Sequence, residues 1–320
     1  MTLARTFRQA LDYGDPQAPG QSSPAGISRR AFCGAALPAA LVPAALLPAA
    51  RSGATAPAPN HQQDLLTTLM KMRGSLDNEM VIGWVRAKRF AVSQGQVEPI
   101  YGLVAATLSR FTRVSDDLYS AVILEITHYT DLHTGELLST LVMPFTGREV
   151  AVPAYRFGPE TVRFAVDLDE ETAYAPTEGT TEGEFAPAGS VRMTKSIEEE
   201  LVTDDELVMR HEEYGRVYPH ASEYPTLFYR ESTLWTAPKR EVFASDTRRV
   251  NSRVFYSAMT SWRPWMQMGD IPGHTTSNGM GATVDSMDDL PEDFLRYTQQ
   301  VHPDVLADPE AALDSRKSES

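Results

Sequence analysis

The sequence predicts an all-β, mainly antiparallel fold: a single large β-barrel-like domain or a strongly curved meander sheet, with a few peripheral helices. Three observations predict it. Runs of alternating apolar and polar residues recur along the chain, the two-residue period of a strand with one buried face. Two turn signals, Thr134-Gly135-Glu136 and Thr146-Gly147-Arg148, lie 12 residues apart with such a run between them, which is the spacing of an antiparallel meander. No βαβ alternation and no glycine-rich phosphate loop occurs, which argues against a dinucleotide fold.

In order along the chain, residues 1–56 read first as an export leader. Ser28-Arg29-Arg30-Ala31-Phe32 stands directly before an apolar run over residues 35–50, after a long polar start. This resembles a twin-arginine signal peptide, and the partner it implies is the twin-arginine translocation machinery, engaged through Arg29 and Arg30. Pro38, Pro43 and Pro48 break the apolar run. It is also shorter than the roughly 20 residues that a spanning helix needs, so no stable membrane anchor is expected. Cleavage is expected after Ala49-Ala50 or Ala54-Thr55-Ala56, which removes Cys33, and the remaining chain is expected in the periplasm or secreted. A cysteine-free chain suits an oxidising compartment.

Residues 57–300 read as one β-rich domain. Leu65, Leu66, Leu69 and Met70 have helical spacing and Gly74 stops them, which predicts a helix over 64–72. From Met80 the period becomes two: Ile82, Trp84, Arg86, Lys88 and Phe90 alternate with Val81, Gly83, Val85 and Ala87. Further strands are predicted at 121–129, 137–143, 149–152, 161–166, 191–197, 206–213, 227–236 and 253–260, about nine or ten in all. Long regular strands favour a closed or nearly closed barrel, because closure removes exposed edges. Residues 175–189 read as a loop or mobile lid, and the acidic residues 198–200 and 204–206 as a solvated hairpin tip. Pro291 with Glu292 and Asp293 opens a helix that packs through Phe294, Leu295 and Tyr297. Residues 301–320 read as a tail with one short helix from Asp308-Pro309, then disorder.

Composition narrows the chemistry. The 320 residues carry 29 Lys+Arg against 43 Asp+Glu, a net charge of -14, with no basic block to grip a phosphate backbone, so no nucleic-acid partner is expected. A single cysteine makes no internal disulfide, and no His-x-His or His-Glu-x-x-His pair seeds a metal site; neither metal nor cofactor is expected. No Gly-x-Ser-x-Gly elbow supports serine hydrolysis.

Chemistry-bearing residues concentrate in residues 261–281. Trp262, Arg263, Trp265 and Met268 stand there on backbone broken by Pro264 and Gly269, followed by His274. They either line a pocket at a barrel mouth or form an apolar plug. Trp84 and Arg86 share one strand face, which is a ligand-binding lumen wall if it points inward and a solvent face if outward. Tyr229, Glu231 and Trp235 share another face. A carboxylate among aromatics is a candidate acid or base if its pKa is raised; otherwise it pairs with an arginine. His128, His211 and His274 are the remaining acid/base candidates, and His128 and His211 also read as satisfied core histidines. The expected partner is a small-molecule ligand.

Met72-Arg73-Gly74-Ser75-Leu76-Asp77, Pro144-Phe145-Thr146-Gly147, Trp262-Arg263-Pro264-Trp265 with Met268-Gly269, and Pro272-Gly273 leading to Gly279-Met280-Gly281 occur in this order. Together they resemble the bacterial family DUF1838, a domain of unknown function, over roughly Asp64 to Asp293. The resemblance implies no activity. Two functional readings follow from the residues: an exported protein that binds a small apolar or aromatic molecule in a barrel pocket, or a cofactor-independent lyase, isomerase or hydrolase using that pocket.

Overall fold

The computed structural model describes residues 61–174, 188–221 and 224–315. The leader with Arg29 and Arg30, the expected lid residues 175–187 and the last residues, 316–320, lie outside them.

The described chain opens with helix α1 (His61–Arg73) and then enters β1 (Met80–Ser93), β2 (Gln96–Ser115) and β3 (Leu118–Thr130). A short ribbon of β4 (Thr140–Val142) and β5 (Glu149–Ala151) follows, then β6 (Tyr155–Phe164), β7 (Asp167–Tyr174), β8 (Gly189–Val202), β9 (Glu206–Pro219) and β10 (Leu227–Pro238). A single helical turn, α2 (Lys239–Val242), leads to β11 (Arg253–Thr260) and β12 (His274–Val284). Helices α3 (Glu292–Val301), α4 (Pro303–Ala307) and α5 (Pro309–Asp314) end the chain. The sheet of ten strands runs β6-β3-β2-β1-β12-β11-β10-β9-β8-β7, and every ladder is antiparallel. It forms a nearly closed barrel, as the alternating pattern predicts. β12 returns to pair with β1, and the seam lies between β6 and β7, which share no ladder. The seam is bridged by Arg163–Glu170 at 3.1 Å and by buried Lys195 of β8, whose Nζ donates to Arg163 O at 2.7 Å.

Several strands depart from the sequence expectation. The β4–β5 ribbon was expected in the main meander and instead stands apart from it, covering one end of the barrel through Met143 and Val150. β2, the longest strand, carries no clean alternation because both of its faces are buried: Leu103, Ser109 and Phe111 inward, Val104, Ala106 and Leu108 outward. β12 was read as pocket loop because its inward side is Thr275, Ser277, Gly279 and Gly281, small and polar rather than apolar. The turns at Gly135 (φ 73°) and Gly147 (φ 64°) are where the sequence puts them.

Apolar packing closes the barrel at both ends. At one end α1 inserts Leu66, Leu69, Met70 and Met72 against Phe111, Phe164, Leu207, Met209 and Trp235. At the other, Trp265, Met266 and Met268 pack with Tyr101, Tyr129 and Tyr155. A third cluster lies outside the barrel, where α3, α4 and α5 cover β1, β2 and β3 through Phe294, Tyr297, Val305 and Leu313. Burying one such side chain stabilises the fold by about 1.5–3 kcal/mol, so residues 303–314 are held to the barrel rather than trailing from it. Among the described residues no helix is long and apolar enough to cross a membrane.

Candidate functional site in the barrel lumen

Between the two apolar ends the barrel encloses a cavity of about 550 Å³. All ten strands of the sheet contribute to its wall, and at the seam it reaches the exposed residues Thr161, Thr172 and Ala173. Its middle belt is polar. β9 supplies His211 and Glu213, β10 supplies Tyr229, Glu231, Thr233 and Trp235, and β11 supplies Tyr256. These are the odd positions of β9 and β10 and the even positions of β11, so the alternation that turns Leu207 and Met209 into the core also turns His211 and Glu213 inward.

Register brings the charges together. Glu231 stands directly across from Glu213, Thr233 from His211, and Tyr229 from Gly215, pairs whose Cβ atoms lie about 4.5–5.5 Å apart in an antiparallel ladder. The Tyr229 ring lies over Gly215: a Cβ there would sit 2.0 Å from Cε1 of the ring. Gly215→Ala is therefore expected to push Tyr229 out of place and to destabilise the protein by about 1–3 kcal/mol. Urea unfolding, with the near-ultraviolet circular dichroism of the folded variant, checks this; an unchanged midpoint and spectrum would sink it.

The two facing carboxylates have opposite fates. Burial raises the pKa of Glu213, but Lys195 at 3.3 Å, His211 at 3.8 Å and Arg73 together outweigh it and carry it down to about 2. Burial also raises Glu231, the Glu213 and Glu125 charges raise it further, and Arg263 and Tyr256 only partly oppose them; it comes to about 7. Tyr256 Oη donates to Glu231 Oε1 at 3.2 Å. Burial, then nearby carboxylates, push both Tyr229 and Tyr256 well above the ordinary phenol range, so both remain hydrogen-bond donors.

His211 is kept neutral. Burial lowers its pKa first, Arg73 second, to about 3. Arg73 Nη1 donates to Nδ1 at 2.8 Å, and since a guanidinium has no acceptor, the imidazole proton is on Nε2. The Arg73 guanidinium is itself boxed by aromatic faces, 4.6 Å from the Phe164 centroid and 5.5 Å from that of Trp235. His211 Nε2 and Trp235 Nε1 are buried without a hydrogen-bond partner among the described residues.

The residues singled out in the sequence do not all belong to the lumen. Glu231, His211, Tyr229, Trp235 and Arg263 line the lumen. Arg86 does not. Its face of β1 turns outward, and its guanidinium makes a two-pronged contact with Asp293 of α3 at 2.7 and 2.8 Å. Trp84 shares that outward parity and packs against the outer cluster, while its stretch of β1, Gly83 to Val85, also borders the cavity. His128 is also outside, its Nε2 2.8 Å from Thr298 Oγ1 and its ring against Phe294 and Tyr297; burial, then His302, lowers its pKa to about 4. His274 has the outward parity of Met280 and pairs with Val92 at a strand end. His128, His211 and His274 thus form no cluster, and among the described residues no group of three or more His, Cys, Asp or Glu is arranged to hold a metal. Segment 261–269 does two things: Trp262, bonded through Nε1 to Ile271 O at 2.9 Å, packs with Trp265 and Met268 as a plug, while Arg263 reaches the lumen.

Arg73, Lys195, Glu213 and Tyr256 escaped the sequence reading. Glu213 had a usable signal, since it shares the parity of Leu207, Met209 and His211, where a solvent-facing carboxylate does not belong. Lys195 has the same signal on β8, between Met193 and Ile197.

Residues 77–320 match the family model described as "Protein of unknown function (DUF1838)". No curated protein and no solved structure matches the chain.

Proposed function

The chain belongs to the family described as Protein of unknown function (DUF1838), and from that premise we propose that its barrel lumen binds a small, largely apolar or aromatic molecule carrying a polar group. One observation carries this reading: a cavity of about 550 Å³ between two apolar plugs, into which charged and hydroxyl-bearing side chains converge. Ligand cavities of roughly 300–1,000 Å³ have this mixture of apolar wall and few polar groups. The seam between β6 and β7 offers the entrance, because no ladder must break to admit a ligand there. The twin-arginine leader supports binding after export, with Arg29 and Arg30 as the residues read by the translocation machinery.

A second reading has its own support. Glu231, facing the cavity beside Tyr256 and pushed up to about 7, has the environment of an acid/base group, which favours a cofactor-independent enzyme in the same lumen. Native mass spectrometry with organic extraction, on protein purified from the envelope of the producing cell, tests the binding reading. A stoichiometric organic molecule, lost when Thr233 is enlarged to Trp to fill the lumen, supports it. A protein that carries nothing and shifts its melting temperature with no compound of an apolar and aromatic panel refutes it.

A further inference from the structure

We propose that the lumen catalyses a proton shift on an uncharged ketone, with Glu231 moving the proton and Tyr229 holding the carbonyl oxygen. This rests on the lumen being a ligand site and names its substrate class and its chemistry.

The geometry begins with which atoms are committed. Tyr256 Oη occupies Glu231 Oε1 at 3.2 Å and so fixes the carboxyl group, while Oε2 has no hydrogen-bond partner among the described residues. Tyr229 Oη likewise has none among them. Tyr229, Glu231 and Tyr256 are half-buried, and the surface they keep lies on the cavity wall. Tyr229 and Glu231 are two positions apart on one face of β10, roughly 7 Å along the strand. A carbonyl group and its neighbouring carbons fit that gap, with the oxygen on the phenol and a C–H on the carboxylate.

The charge of the wall argues for an uncharged substrate. Arg73, Arg89 and Arg263 on the wall, with Lys195 behind it against Glu213, stand with Glu125, Glu160, Glu213 and Glu231, four cations and four carboxylates, which leaves no surplus for an ionic ligand to neutralise. Arg89 is held by Thr260 and Thr275 at 3.1 and 3.0 Å, and Arg73 by His211, so these cations are engaged with the protein. Trp235, Phe157, Val162 and Val254 supply apolar wall for the body of the molecule.

The step balances without a co-reactant. Glu231 Oε2 takes a proton from the carbon next to the carbonyl. The C–H electron pair becomes a C=C bond, and the C=O π pair moves to oxygen, giving an enolate held by the Tyr229 O–H. Where the ketone carries a C=C bond between its β- and γ-carbons, the enolate extends to the γ-carbon; Glu231, now protonated, returns the proton there, the double bond moves to the α,β position and the carbonyl reforms. The product is an isomer of the substrate. The ionisation of Glu231 suits both halves, because it gives and takes a proton near neutral pH. Tyr229, held above the usual phenol range, stays a donor throughout.

Deuterium exchange tests this without knowing the natural substrate. The probe is 1-tetralone, an uncharged aromatic ketone with enolisable hydrogens, incubated with the full protein in D2O and followed by proton NMR. The unaltered protein is expected to speed exchange at the α-carbon about 100-fold or more over buffer. Glu231→Gln should return the rate to within a few-fold of buffer, and Tyr229→Phe should lower it by about 10- to 1,000-fold. Both variants should still bind the probe, read by quenching of tryptophan fluorescence from Trp235 in the wall. Exchange that survives in Glu231→Gln overturns the proposal. So does a probe that binds without exchanging, which leaves the lumen a binding site alone. A probe that does not bind overturns the substrate class and the proposal with it, whereas the binding reading stands or falls on the mass spectrometry of the purified protein.

Discussion

At about pH 8 the Glu231→Gln protein is expected to be more stable than the unaltered chain by about 3 kcal/mol, and at pH 4.5 to match it. The sign follows from a pKa raised from 4.5 in the unfolded chain to about 7 in the folded one. Below 4.5 the carboxyl is protonated in both states, and an amide of the same shape changes little. Between 4.5 and 7 the unfolded chain loses the proton first, so folding stability declines as pH rises. Above 7 the full cost of a buried carboxylate across from Glu213 is present, and glutamine does not carry it. Urea midpoints at the two pH values measure this. A difference independent of pH, or a variant less stable at high pH, would contradict the assignment of Glu231.

The same substitution one strand away should do the opposite. Glu213→Gln leaves Lys195 and Arg73 buried without their counter-charge, and removing one partner of a buried pair costs about 3–5 kcal/mol. For a chain of this size the melting temperature should fall by something on the order of 10 °C. Here the folded pKa is depressed, from 4.5 to about 2, so the stability conferred by Glu213 is present above 4.5 and fades as pH falls toward 2. The deficit of the variant should narrow over that interval. Replacing both members, Lys195→Met with Glu213→Leu, should recover much of the loss, since neither charge is then stranded. Calorimetry of the single and double variants decides it: a single variant as stable as the parent would mean that the ion pair does not govern this end of the barrel.

How much of this was legible depends on what each face of a strand meets. β1, β3, β9, β10 and β11 alternate because one side meets the lumen and the other meets water or a helix of different character, and the sequence showed them. β2 was hidden by burial on both sides, and β7 by an acidic composition typical of a loop. Tyr229, Glu231 and Trp235 could be grouped from parity within one strand. What joins them to Glu213, His211 and Tyr256 is the register between strands, which no local pattern encodes. The direction of the Trp84–Arg86 face was equally unreadable, since it was set by Asp293, far along the chain, pairing with Arg86 from α3.

The order of the strands also bears on how the chain reaches this state. Every ladder of the ten-stranded sheet joins strands that follow one another in sequence, except that of β3 with β6, which only the short β4–β5 ribbon separates, and that of β1 with β12, where Val92 meets His274 and Ile82 meets Val284. Most pairings therefore form by closing short loops, and one must wait for the two ends of the domain to find each other, at the greatest loop-closure entropy. Folding speed should be governed by that single meeting. A circular permutant that links the region after β12 to the start of β1 and opens the chain between β6 and β7 would make every ladder local while breaking none, so the same barrel would be reached by a shorter search.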